Sequence, residues 1–269
     1  MRPMPQRRVR RAVVLALVGL SGGVALLQAA ALAERAVERA VLATLGFEFF
    51  LALLAVAGAC LQRIPLPDRL GLRPGRLSWT SLAVLAFGML ALSHALDALL
   101  DLSGLGGRGT LADLEDLLSG ARGPTLALAL VGIGIAPGVA EELLCRGLIQ
   151  RGLQRRLGTP ASVIVAALVF GALHVDPVHA AVASVLGVYL GLVAVLAGSV
   201  RAAIGCHVVN NAVAVVLVAW LGEPETAPLA SLLLGSSAAI AALGLVWRRA
   251  GGAADLPDTH SAAPVVPGG

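Results

Sequence analysis

Residues 124–148 read PTLALALVGIGIAPGVAEELLCRGL. The stretch from Pro124 to Ala140 carries no charge, and an apolar run of this kind belongs in a bilayer, where about 20 residues at about 1.5 Å each cross roughly 30 Å of hydrocarbon. The run ends in two adjacent carboxylates, Glu141 and Glu142, with Arg146 four residues after the second. An ionisable group inside a span costs about 2.5–3.5 kcal/mol unless something pairs with it or water reaches it. The same segment therefore predicts a membrane helix and marks that helix as a carrier of chemistry.

Composition extends the reading to the whole chain. Of 269 residues, 58% are hydrophobic and 13% charged, against about 25% charged in soluble domains, and mean hydropathy is +0.88. A soluble core cannot hide so much apolar surface, which excludes a soluble enzyme, a coiled coil and a disordered tail protein. All 20 basic residues are arginine and the net charge is +4. They fall between apolar runs, so the expected partners are membrane lipids and not nucleic acid. Cys60, Cys145 and Cys206 form no CxxC and no even-numbered framework, and read as small buried residues.

The predicted fold is an all-α polytopic membrane helix bundle of eight spans, near 12–33, 40–62, 79–100, 124–148, 160–175, 178–198, 202–221 and 228–247. The first follows a basic start and resembles a signal peptide, but its apolar stretch is longer than the usual h-region of about 7–15 residues, so an uncleaved span is expected. With both termini cytoplasmic, fifteen arginines fall inside and four outside, while the outer loops hold acids such as Asp113, Glu115 and Asp116. The expected location is the inner (plasma) membrane, as a multi-pass protein. Trp79, Trp220 and Trp247 fall at span ends as anchors. Residues 110–118 are amphipathic and predict a short surface helix, the Gly- and Pro-rich tail 251–269 predicts disorder, and there is no internal repeat.

Ionisable and amide side chains inside the spans form three groups. Glu142 and Arg146 share a helix face and can pair, while Glu141 points about 100° away and is left available. A charge cluster at a helix end is the plainer alternative. Phe170 and His174 are one turn apart, as are His207 and Asn211, and each pair alone is more often structural. Depth raises their value. Counted from a tight turn at Gly158-Thr159-Pro160, Glu141 and His174 reach similar heights of roughly 21 to 26 Å. His207 and Asn211 stand roughly 9 to 15 Å above Arg201. The fifth helix then ends near His174 at membrane depth, with Val175-Asp176-Pro177 as irregular backbone lining a cavity.

A carboxylate in a dry cavity suits a general base near neutral pH, so Glu141 with His174 could activate water. His207 and the Asn211 amide would supply donors for a developing oxyanion, and Glu142 with Arg146 would fix the helix. Zinc bound by Glu141, His174 and His207, with Asn211 nearby, competes with this assignment, although no HExxH is present. No serine or cysteine is aligned with a base as a nucleophile would be. His94, Asp97 and Asp101 share a face and read as interfacial, and Asp176 and His179 could tune His174.

The order Glu141-Glu142-xxx-Arg146, Phe170-xxx-His174, His207-xxx-Asn211 resembles the three motifs of the CAAX protease and bacteriocin-processing enzyme family (CPBP, or Abi), which includes the type II CAAX prenyl endopeptidases. The resemblance implies an eight-helix intramembrane endopeptidase, often named a metalloprotease, in which Glu141 and His174 activate water. It further implies that His207 and Asn211 support the oxyanion, with Glu142, Arg146 and Phe170 supporting and zinc a possible cofactor. It implies a catalytic core at 123–217, preceded by N-terminal spans and the amphipathic segment at 1–122 and followed by a last span at 218–250. The expected substrate is a membrane-associated or lipidated peptide or protein. The lysine-free, alanine- and arginine-rich composition is of a kind associated with GC-rich bacteria, which makes peptide maturation or bacteriocin immunity as natural a role as trimming prenylated tails. A non-catalytic immunity or scaffold protein and a proton-coupled transporter are the alternatives.

Overall fold

The computed structural model describes residues 37–62, 64–221 and 227–250. All regular structure among the described residues is helical. In chain order the helices are α1 (Val37–Cys60), the short α2 (Leu66–Arg69), α3 (Trp79–Leu102), α4 (Gly109–Leu118), the long run α5 (Gly123–Ala172), α6 (Pro177–Ala197), α7 (Val200–Leu221) and α8 (Pro228–Arg249). Six of them, all but α2 and α4, are long and apolar enough to cross a membrane. The chain is a multi-pass membrane protein.

Seven of the eight expected spans fall among the described residues. The span at 12–33 and the tail 251–269 lie outside the described residues. The spans at 124–148 and 160–175 are the two arms of α5, joined at Gly158, whose φ 75° and ψ 173° lie outside the helical region. Arg146 and Phe170 stand twelve residues either side of Gly158, yet the guanidinium lies 4.5 Å from the ring centroid. A straight helix would hold them roughly 36 Å apart, so α5 folds back on itself at Gly158. Pro160 falls in the first turn of the returning arm, where its missing N–H costs nothing. That arm is short, about 21 Å from residue 159 to 172, and His174 follows in the irregular segment before α6.

Two apolar clusters hold the bundle. Leu85 and Met89 of α3, Tyr189, Leu190 and Val193 of α6, Cys206 of α7 and Val246 of α8 form one. Phe47, Leu51 and Leu54 of α1 pack with Ala140 and Leu144 of α5 in the other. Apolar residues such as Phe49, Leu234 and Ile240 remain more than two-thirds exposed, as lipid-facing side chains are. Trp79 and Trp220 are exposed at helix ends. The amphipathic segment forms α4 and buries Leu118 against Ala129 and Val215. His94 Nε2 lies 3.1 Å from Ser231 Oγ and ties α3 to α8.

Arginines that the sequence offers only as topology markers also act as caps. Arg69, 8% exposed, donates from Nη1 to the Gly147 carbonyl and from Nη2 to the Leu148 carbonyl, both at 3.1 Å. Arg151 Nη2 donates to the Asp68 carbonyl at 3.3 Å, and Arg76 Nε to the Leu196 carbonyl at 2.8 Å. The exposed Arg73 guanidinium hydrogen-bonds Asp68 and holds its carboxyl below the usual range. The loop around α2 thereby fixes the arm of α5 that carries Glu141.

Candidate active site

α5 is not a uniform α-helix. Two π-helical segments, Leu130–Ile135 and Leu143–Gln150, bracket the α-helical Ala136–Glu142. Wide turns of this kind re-aim side chains and recur at functional sites. They direct Glu141 and Glu142 towards α7. Gly138 makes the close approach possible, since a Cβ there would stand 2.6 Å from Val208 Cγ2 and 2.9 Å from the Val208 backbone nitrogen, next to His207. Gly138→Ala is expected to force α5 and α7 apart, at a cost of about 1–3 kcal/mol, read as a lower melting temperature in detergent.

The deepest part of the site is an ion pair with a histidine joined to it. Glu142 and Arg146 are fully buried, and Arg146 Nη1 donates to Glu142 Oε1 at 2.6 Å. Arg146 Nη2 donates to the Gly187 carbonyl of α6 at 2.8 Å, and its guanidinium lies over Phe170. His207 Nδ1 lies 3.1 Å from the same Glu142 oxygen. An ionised carboxylate only accepts, so this nitrogen carries the proton. The opposite nitrogen, Nε2, lies 3.8 Å from Glu141 Oε2. Glu141 and His207 are each 5% exposed.

Phe170 links this centre to the second histidine. Its ring meets His174 edge-on at 5.3 Å and His207 at 5.6 Å between centroids. His174 Nδ1 lies 3.0 Å from the Phe170 carbonyl, which can only accept. The proton is therefore on Nδ1, and Nε2 of neutral His174 carries a lone pair. His174 is partly exposed, unlike the buried pair behind it. The segment after it is irregular, and Val175 has φ 58°, an outlier for a β-branched residue.

Glu141, Glu142, Arg146, Phe170 and His207 are thus brought together, with His174 one ring further out. Asn211 is set apart: its Nδ2 donates to the Ile133 carbonyl at 3.3 Å, and its Oδ1 accepts from Asn210. No hydrogen bond or ion pair among the described residues links Glu141 to His174 or to Asn211. The site also contains a residue that motif reading passed over. Glu48 of α1 is 3% exposed, has Oε2 without a hydrogen-bond partner among the described residues, and stands close enough to Glu141 for their charges to act on each other. Its signal was available, a lone carboxylate inside an apolar span.

The donor set named for zinc, Glu141, His174 and His207, does not converge: no three His, Cys, Asp or Glu side chains placed to hold a metal ion are found among the described residues.

Fold and centre together define a multi-pass membrane protein with a buried acid–arginine–histidine cluster at the meeting of α5, α6 and α7. Residues 123–213, 91 of the chain's 269 residues, match the family model described as Type II CAAX prenyl endopeptidase Rce1-like, and the likeness rests on this match. It contains every residue of the three motifs and leaves α1, α3 and α8 outside. Neither the curated proteins nor the solved structures offer a match to the chain.

Proposed function

We propose that the protein is an intramembrane endopeptidase that hydrolyses a peptide bond in a membrane-associated peptide or protein, with water activated by Glu141. Glu141 takes a proton from the attacking water as the new C–O bond forms at the scissile carbonyl, and returns it to the amine as the C–N bond breaks. His174, with its lone pair on Nε2, is the second group to orient that water. His207 faces Glu141 through Nε2, and Asn211 keeps one amide hydrogen beyond its bond to Ile133; both are the proposed donors to the oxyanion. To donate from Nε2 while Nδ1 bonds Glu142, His207 acts as the imidazolium. Glu142 and Arg146 hold the scaffold of this arrangement and touch no substrate. No step passes through a metal.

The observation that carries the reading is the difference between the two adjacent glutamates. Glu142 has its charge satisfied by Arg146 and its orientation set by His207, whereas Glu141 has, among the described residues, no cation closer than the 3.8 Å contact with His207. One carboxylate is structural and the other is free to work. The test is to incubate the purified protein in detergent with a quenched library of apolar and lipidated peptides, with and without a zinc chelator. Cleavage that persists in chelator is expected. Loss in chelator with return on added zinc would overturn the metal-free mechanism, and an uncleaved library would shift the reading to a binding protein.

A further inference from the structure

Beyond the cluster, a second imidazole rests on His174. The rings of His174 and His179 have centroids 4.2 Å apart at an interplanar angle of 54°, and no motif includes His179. The ring of His179 is held from the other side, because its Nδ1 lies 3.1 Å from Thr110 Oγ1. Thr110 belongs to the first turn of α4, a helix remote in sequence that packs through Leu118 onto α5 and α7. The backbone of His179 is fixed as well, since its N–H donates to Asp176 Oδ1 at 2.8 Å in the N-terminal cap of α6. Gly109, beside Thr110, completes the contact: a Cβ at that residue would stand 2.7 Å from Asp176 Oδ2. The start of α4 is therefore seated on the start of α6, and the seam is marked by Val175 at φ 58° immediately after His174.

His174 needs such support. Its Nδ1 bond to the Phe170 carbonyl fixes one edge of the ring, but a ring held at one atom can still tilt about that bond. Phe170 contacts it edge-on from inside the bundle, and His179 supplies the contact from the α6 side.

We infer that His179 is a positioning residue for His174, and that Thr110 on α4 sets its orientation, so that the surface helix is part of the active-site architecture. The inference rests on the proposed endopeptidase reading. His179 acts through His174 and not on the substrate, so its loss should lower kcat and leave KM near the wild-type value. Misplacement of a reacting group by about 1 Å costs up to about 100-fold, so His179→Ala is expected to lower kcat roughly 10- to 100-fold and Thr110→Val by less. The double variant should be no slower than His179→Ala alone, because both changes break one chain of contacts.

The test measures kcat and KM for the wild type, His179→Ala, Thr110→Val, the double variant and His179→Phe, which keeps a ring against His174 but loses the polar link. Melting temperatures in detergent are measured alongside. A second readout is independent of turnover: selective 15N-histidine labelling of a chain with five histidines. Thr110 bonds His179 and has no hydrogen bond to His174 among the described residues, so a shift of the His174 ring nitrogens in Thr110→Val, absent when the same change is made in His179→Ala, is expected. Wild-type kcat in His179→Ala, or no His174 shift in a folded Thr110→Val, would overturn the inference while leaving the endopeptidase reading intact. A wild type that cleaves nothing, with Glu141→Gln indistinguishable from it, would remove both.

Discussion

Arg146→Ala is expected to destabilise the folded protein by about 3–5 kcal/mol, the cost of leaving a buried charge without its partner. Few single changes should cost more. Arg146 and Glu142 are both fully buried and 2.6 Å apart, so deleting the guanidinium leaves a buried carboxylate with its bond to His207 in place of two. It also removes the donor to the Gly187 carbonyl and the stacking over Phe170, so α6 and the returning arm of α5 lose their common support. Removing both charges is different in kind. Glu142→Gln combined with Arg146→Met leaves no isolated ion, and such replacements are often near neutral. The double variant should therefore melt closer to the wild type than Arg146→Ala does. Melting curves in one detergent decide this, and an Arg146→Ala protein as stable as the wild type would show that the pair does not hold the bundle.

Glu141→Gln should do the reverse, abolishing activity with little change in stability. Glutamine keeps the shape of the side chain, and the contact it weakens, with His207, is 3.8 Å long, while His207 keeps its 3.1 Å bond to Glu142. General base catalysis contributes about 10²- to 10⁴-fold, so turnover should fall by that factor while the melting temperature stays near the wild-type value. Glu142→Gln, one residue away, should lose stability as well as activity, since it weakens bonds to both Arg146 and His207. Equal behaviour of the two variants would contradict the separate roles assigned to them.

Much of this was legible from residue spacing because a membrane makes polarity expensive. The i, i+4 relation of Glu142 and Arg146 and the fold-back at Gly158 follow from short-range geometry, and the structure contains both. What spacing could not give is lateral placement. The residue pattern reads His207 as an oxyanion donor but gives no sign that its Nδ1 is held by Glu142, a partner that depends on how closely α7 approaches α5 at Gly138. Glu48 was missed because one carboxylate has no periodicity to expose it. The π-helical segments around Glu141 leave no mark in the residue pattern, and the arginine contacts of the α2 loop span 78 to 120 residues. The span at 12–33 lies outside the described residues.

The central claim is that Glu141 activates water for peptide hydrolysis, and hydrolysis in water enriched in oxygen-18 tests it most directly. A peptide cleaved by the wild type should acquire one oxygen-18 in the new C-terminal carboxyl group, read by mass spectrometry, and folded Glu141→Gln protein should yield that labelled product at least about 100-fold more slowly. Labelled product formed by Glu141→Gln at the wild-type rate would contradict the account.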